Sequence, residues 1–403
     1  MYGSIHFGLK NNFFGQFSCR PVTTGKTRLF CTIGILILLC ACKPSSEPDS
    51  EDLMTLKIED NKNKNSSFLS EIAETVDVIE LETNDISLIR SVLRVNILEN
   101  HYIVYDGTPG VLIFDRLGNF VRRIGKKGQG PGELTGAIPC QVDYYKGRIL
   151  FNLPHKMVIY DINGNHIEDI HHDLLSYLSP FISYYLNDSL FYIQESWTSV
   201  KDTHVRSFYF NIYNYSNGSF LPNIADSLFV YESKPLPART TNMTLGPFQH
   251  NGQVYFFYPV HDDDCYLYVY KNHQFERFAK IDCKTYIRQL FVTDRFVIAD
   301  LSYILPTGEP GPAIITPDNR DNLRFNRRMP GEKISSFYVY DYKNGRSIDS
   351  YKGFIDDFHH SNDTIPIKVI DGGEKFFYTR EHDYSEALGT EPNPTLYIGT
   401  FKK

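Results

Sequence analysis

The sequence predicts an all-β fold: a six-bladed β-propeller of four-stranded blades, its ring closed by an N-terminal strand that pairs with the last blade. Three observations carry this. A strand–turn–strand unit recurs along the chain, a second hairpin precedes each copy, and no stretch beyond a single turn at 173–178 has a helical pattern. The recurring units are VLIFDRLGNF (111–120), MVIYDINGNH (157–166), NIYNYSNGSF (211–220), YLYVYKNHQF (266–275) and FYVYDYKNGR (337–346). Each has an apolar or aromatic run, in most copies an Asp or Asn, and then a Gly or Asn able to take positive φ in a tight turn. The anchors Asp115 and Asp161 lie 46 residues apart, and a period of about 40–50 residues with several strands per period is the mark of a propeller.

The preceding hairpins turn at 99–101, 145–147, 187–189, 251–253, 293–295 and 371–374, which makes six inner hairpins. The sixth blade then has LYIGTF (396–401) as its third strand, and the chain ends without a fourth. The stretch ETVDVIELET (74–83) alternates in part, as a half-buried strand does, and has no partner near it in sequence. It is expected to supply the missing strand, with residues 71–403 forming the propeller. Strands of this length with hairpin turns argue against a solenoid; a pair of β-sandwiches is the other all-β alternative.

Residues 1–41 read as a signal peptide. Lys26 and Arg28 precede an apolar run of eleven, LFCTIGILILL (29–39), too short to span a bilayer but suited to a signal-peptide core. The following Leu39-Cys40-Ala41-Cys42 resembles the bacterial lipobox, and the resemblance implies a lipid on Cys42. Residues 42–70 begin polar and acidic and are expected to be a flexible tether. Three cysteines remain beyond it, Cys140, Cys265 and Cys283. Counted back from the turn at Asn272, Cys265 and Cys283 fall about three positions out of register, so free thiols are expected rather than a disulfide framework.

The formal charge of −7, with basic residues clustered only at 122–127 and 320–328 beyond the leader, excludes the extended basic face that nucleic acid requires. Aromatic residues make up 14% of the chain, 28 Tyr and 29 Phe against the single Trp197, which suits pleated, half-buried strands.

Several residues together carry a family resemblance: Leu81-Glu82-Thr83 with Ser87-Leu88-Ile89, Phe114-Asp115 with Gly118, and Gly128-Gln129-Gly130-Pro131-Gly132-Glu133. These resemble the six-bladed β-propeller lipoproteins of Bacteroidetes, which are related to NHL-repeat propellers. The resemblance implies a lipid-anchored propeller of the cell envelope, on the outer membrane, and implies no reaction.

In a propeller blade the first-to-second and third-to-fourth turns lie on one face, and the remaining connections lie on the other. The former are all short here. The long segments, 125–133, 197–204, 227–248, 261–264, 306–332, 358–366 and 381–394, all belong to the second face. Long loops carry function more often than tight turns, so this face is the expected binding surface.

Its candidates are Lys126, Lys127 and Glu133 in the glycine-rich crossover, Trp197, His261 and Asp263, Arg324, and His382. The crossover GKKGQGPGE (125–133) lacks the Ser or Thr and the helix of a phosphate-binding loop, and reads best as a blade-to-blade connection. His261 and Asp263 sit in a run of adjacent acids without the spacing of a calcium loop. Of the pairs His171-His172 and His359-His360, the second, with Asp356, Asp357 and Asp363, is the slightly better metal candidate. Trp197 can stack on a sugar ring or pack on a neighbouring blade. Arg324, with Arg320, Arg327 and Arg328, can pair with carboxylates. His382 lies between Glu381 and Asp383, but no activated nucleophile is evident.

No metal or cofactor is called for. The expected partners are the membrane, through the anchor, and a glycan, peptide or envelope protein. Non-catalytic binding is the first reading; a propeller hydrolase or lyase, with or without a metal, and a structural subunit of an envelope complex are the alternatives.

Overall fold

A computed structural model describes residues 53–403 except 60–63, 172–182, 187–188, 201–202, 215–218, 221–229, 234–247, 258–264, 272–273, 284–286, 302, 307–313, 317–323, 327–330 and 383–390, with single gaps at 145, 154–155, 360 and 362. For most strand residues between 183 and 233, and between 303 and 333, only backbone pairing is described. The chain is all-β, a propeller arrangement of small sheets; its one helical element in the described residues is a single 3-10 turn, Leu69–Glu71.

Five sheets are antiparallel meanders in chain order. The first holds Arg94–Leu98, His101–Tyr105, Val111–Asp115 and Phe120–Ile124. The second runs from Gln141–Asp143 to His166–His171 and the third from Ser183–Leu186 to Ser219–Phe220. The fourth runs from Phe248–His250 to Gln274–Cys283 and the fifth from Gln289–Val292 to Arg346–Tyr351. A sixth sheet is composite. Lys368–Val369, Lys375–Arg380 and Thr395–Phe401 come from the end of the chain, and Ala73–Glu80 pairs antiparallel with Thr395–Phe401 as the outer strand.

The strands read as they do because of their position in each sheet. Middle strands are covered on both faces, so Val111, Leu112, Ile113 and Phe114 are all fully buried and the sequence is a continuous apolar run. Outer strands face solvent; in His166–His171 no residue is buried. Faces of neighbouring sheets pack on each other. Ile103, Ile113, Ile149 and Val158 join the first sheet to the second, and Phe296, Phe337, Phe376 and Phe401 join the fifth to the composite sheet. Ile79, Leu396 and Ile398 meet Val104, Leu112 and Phe114, so the composite sheet also packs on the first. Each fully buried Phe or Leu contributes about 1.5–3 kcal/mol.

The Asp of the repeat is a turn clamp. The Asp115 carboxylate accepts from the N–H of Leu117 (2.8 Å) and of Asn119 (2.9 Å) and from Asn119 Nδ2 (2.8 Å). Asp161 takes the same bonds from Asn165. Buried Asp341 accepts from the N–H of Lys343 and Asn344, and from Arg295 through Nη2 at 2.7 Å. Gly118 has φ +88°, and a Cβ there would meet the Glu80 carbonyl at 2.0 Å, so this turn is tied to the N-terminal strand as well.

Several expectations are corrected. The tether expected over 42–70 is shorter, because Met54–Ile58 forms a fifth strand, parallel to Gln274–Cys283 in the fourth sheet, with Leu56 and Ile58 fully buried. Residues 64–71 are also held: Lys64 pairs with Asp349 at 2.7 Å and Ser67 Oγ donates to the Asp349 carbonyl. Alternating Met54, Leu56 and Ile58 are too few for the sequence pattern to show a strand. Cys265 faces Ile281, two positions from Cys283 rather than three, because a bulge after Leu267 shifts the register. Cys140 and Cys283 are free thiols. The segment expected as an open loop at 306–332 contains two antiparallel strand pairs, Tyr303–Pro306 with Gly331–Ile334 and Ile314–Thr316 with Arg324–Asn326.

The clamps set the acid limit of the fold. In Asp115, Asp161 and Asp341 burial acts to raise the carboxyl pKa, but the turn hydrogen bonds in the first two, and Arg295 together with the turn in Asp341, outweigh it and hold each below the usual 3.8. A depressed folded-state pKa stabilises the fold above the unfolded value and is lost as pH falls through the folded one. Stability is therefore expected to be flat down to about pH 4 and to fall below it. Asp115→Asn with Asp161→Asn should lower stability at pH 7 and shallow that acid limb, measured by denaturant titration at a series of pH values.

Candidate functional site

The described cavity that best suits a ligand lies on the tight-turn face, where inner hairpins of four sheets converge. It has a volume of about 570 Å³ and is lined by Ile97, Asp143, Tyr144, Gln249, Asp371 and Lys375, with Arg116, Val142, Asn251, Gly252, Ile370, Gly372 and Glu374 completing it. That size is ordinary for a small-molecule site. Each wall follows from its hairpin. Val142 and Ile370, beside the inner turns, are buried and supply apolar lining, and the polar residues that follow them in the turns supply the rest.

The rim is built by contacts between sheets. His250 Nδ1 donates to the Gly372 carbonyl (2.6 Å), and Nε2 lies 3.0 Å from Asp294 Oδ1. The Gly372 N–H donates to the Gln249 carbonyl (3.2 Å) and Tyr144 Oη donates to the Asp371 carbonyl (3.3 Å). These bonds link the second and fourth sheets to the composite one, and the fourth to the fifth. Gly373 has φ +73°, and a Cβ there would meet the Val292 carbonyl at 2.5 Å; only glycine lets the turn come this close. Burial acts to raise the Asp294 carboxyl, but hydrogen bonds from Asn251 and His250 hold it below its usual range. Cys140 is fully enclosed near this lining, and burial pushes its thiol up to about 12, so it supplies no thiolate nucleophile at neutral pH.

The opposite face holds a second polar cluster between the fifth and composite sheets. Asp356 is fully buried and accepts from Tyr378 Oη (2.9 Å) and Arg380 Nη2 (2.8 Å), while His359 Nδ1 lies 3.1 Å from its carboxylate. Tyr378 stacks on Tyr397 with centroids 4.6 Å apart, and burial pushes its phenol well above its usual value. Asp357 accepts from the Ser70 N–H. Asp356 and Asp357 are thus engaged in bonds that fix the crossover. Among the described residues no group of three or more His, Cys, Asp or Glu is placed to hold a metal ion.

The other sequence-predicted residues are scattered. Lys126 and Lys127 form a two-residue strand parallel to Glu133–Leu134 and are exposed. Glu133 turns back into its own loop, where the Gly130 N–H (2.9 Å) is the main cause holding its carboxyl below the usual range; Lys126 lies 3.7 Å away. Lys156 anchors this loop by donating to the Gly130 carbonyl and to Asp169, both at 2.8 Å. The crossover is therefore a folded connection. Trp197, expected in a loop, lies instead in Ser189–Val200 opposite Arg206, because the second and third strands of the third sheet continue to twelve residues each. Arg324 lies in a short strand opposite Thr316. His382 is exposed, with Nε2 2.8 Å from Thr395 Oγ1. His261, Asp263 and Cys42 lie outside the described residues.

Sequence reasoning missed Asp143, Tyr144, Gln249, Asp371 and Lys375. The only signal was charged and amide residues at or beside the inner turns, notably Asp371-Gly372-Gly373-Glu374.

An all-β chain of small meanders in a propeller arrangement, with a cavity at the inner turns, defines the class of protein. The chain belongs to the family described as domain of unknown function DUF4934, which matches residues 53–396. Among solved structures it is similar to a protein of Bacteroides fragilis described as exported, at 16% identity and TM-score 0.56, covering 87% of this chain and 100% of that one. At that identity the likeness speaks to fold alone. Similarity to the Pan2 WD40 domain of Neurospora crassa (10% identity, 77% of this chain and 90% of that one, TM-score 0.37) is too low to argue from. The same holds for BamB of Moraxella catarrhalis (10%, 86% and 96%, 0.35). No curated protein matches the chain.

The Asp356 cluster makes a testable claim about what holds the crossover. Asp356→Asn should cost about 1–3 kcal/mol, because Arg380 loses its counter-charge while Tyr378 keeps an acceptor. Arg380→Met should cost less, since Arg380 is partly exposed, and the double variant should cost less than the sum. Thermal unfolding of the three variants reads this directly.

Proposed function

We propose that the chain is a cell-envelope lipoprotein whose propeller binds a ligand without catalysis, in the cavity at the inner turns. In this reading the ring has six blades. The composite sheet is the sixth, and Ala73–Glu80 closes it as the expected strand over 74–83; the packing of Ile79 and Leu396 on Val104 and Leu112 supports the closure. The lipobox-like Leu39-Cys40-Ala41-Cys42 supports an anchor at Cys42, and the resemblance to Bacteroidetes propeller lipoproteins supports placement at the outer membrane.

The observation that carries the binding reading is the cavity itself. It combines apolar lining with convergent charged and amide groups, the usual composition of a ligand site. A second reading puts a partner on the opposite face, carried by the twelve-residue strands of the third sheet and the paired insertion at 303–334, both of which extend that side. Lys126, Lys127, Glu133, Trp197, His261, Asp263, Arg324 and His382 would then be rim residues of a protein or glycan contact.

A ligand screen by thermal shift on the full chain separates the two. Gln249→Trp, which fills the cavity, should abolish the ligand-induced rise in Tm, whereas Arg324→Ala and His382→Ala should leave it. The reverse pattern moves the site to the long-loop face. In the same preparations Cys42→Ala should shift the protein from the membrane to the soluble fraction; retention there counts against the anchor.

A further inference from the structure

We infer that the cavity takes a ligand carrying both an ammonium and a carboxylate, the chemistry of a short peptide with free termini. The inference rests on the binding reading above and adds the ligand class.

The lining has both signs of charge. Asp143, Asp371 and Glu374 supply carboxylates, and Arg116 and Lys375 supply cations. Asp143 is 1% exposed, so its charge faces little bulk water, and its Oδ1 accepts from the Lys146 N–H at 3.0 Å. Arg116 is already engaged, donating to the Glu99 carbonyl at 2.8 Å and lying over the Tyr102 ring at 5.7 Å. The Lys375 side chain makes no hydrogen bond or ion pair among the described residues, and neither do the side chains of Asp371, Glu374 and Gln249. The cavity thus holds one uncommitted cation, uncommitted carboxylates and an uncommitted amide.

These groups discriminate between ligand classes. A phosphate or acidic sugar would bring negative charge against three carboxylates, which costs more than Lys375 returns. A bare divalent cation needs several oxygens converging at roughly 2.3–2.6 Å, and no such grouping is present among the described residues. A neutral polyol would desolvate the charged groups without pairing them. A zwitterion pairs both signs at once: its ammonium with Asp371, Glu374 or Asp143, and its carboxylate with Lys375. Gln249 and Asn251 offer partners for a peptide amide, and the apolar lining of Ile97, Val142 and Ile370 suits an aliphatic side chain.

Isothermal titration of the full chain with L-alanyl-L-alanine, the same dipeptide acetylated and amidated, and maltose tests this. The free dipeptide should bind, and capping both termini should weaken binding by about tenfold or more. Lys375→Met should weaken the free dipeptide and Lys375→Arg should restore it; Asp371→Asn with Glu374→Gln should weaken it and leave the melting temperature unchanged. Equal affinity for free and capped dipeptide, or indifference to Lys375→Met, overturns the inference, as does no dipeptide binding at millimolar concentration. The two readings fail separately. Maltose binding that Gln249→Trp abolishes, without dipeptide binding, keeps the cavity and rejects the zwitterion. Dipeptide binding that survives Gln249→Trp rejects the cavity as its site, and the inference with it.

Discussion

The rest of the structure depends on the N-terminal residues 54–58 and 64–80, which lie along the outer edges of three successive sheets. Met54–Ile58 lies parallel to the edge strand of the fourth sheet. Ser66 and Ser67 then bond to residues 349–351 at the edge of the fifth, with the Ser67 carbonyl accepting from Ile355 N–H. Ala73–Glu80 becomes the outer strand of the composite sheet, pairing residue 73 with residue 401. Leu56, Ile58, Leu69, Ile72 and Ala73 are all buried along the way. An exposed sheet edge is open to wrong pairing, and these residues cover such edges with the chain's own backbone. The pairing is highly non-local, so it forms only after the C-terminal strands are in place, which slows folding.

Closing the sheets from outside leaves their inner ends to meet one another, and that meeting makes the cavity. The inner turns are short, and the one at 371–374 relies on close approach, with Gly373 beneath Val292 and the Gly372 N–H on the Gln249 carbonyl. Their polar residues converge because the inner strands converge, not because any loop is long. The long-loop face has grown instead by extending strands, as in the twelve-residue pair of the third sheet. One face is thus pinned by His250, Tyr144 and Gly372, while the other carries the larger additions.

How much of this was legible follows from the range of each signal. The repeated Asp–Gly–Asn turns were readable because the clamp is local: Asp115 and Asn119 bond within one turn. A strand over 74–83 was inferred by counting partners, and a strand at Ala73–Glu80 pairs with Thr395–Phe401. Met54–Ile58 escaped because its partner is over 200 residues away and its apolar pattern is only Met54, Leu56 and Ile58. Trp197 was misplaced because nothing local marks where a strand continues past its neighbours. The cavity was invisible for a related reason: Asp143, Gln249 and Asp371 belong to different sheets, and their approach is a product of the fold. The glycine-rich crossover gave the opposite error of emphasis, since its glycines serve to admit Glu133 and to meet Asp169.

The most direct test of the covering residues is hydrogen exchange on the full chain carrying Val76→Pro with Asp77→Pro, which disrupts the outer strand of the composite sheet. If that strand holds the ends of the chain together, Thr395–Phe401 and the first sheet over 94–124 lose protection along with it. Loss confined to Ala73–Glu80, with 94–124 and 395–401 as protected as in the unaltered protein, would contradict the account.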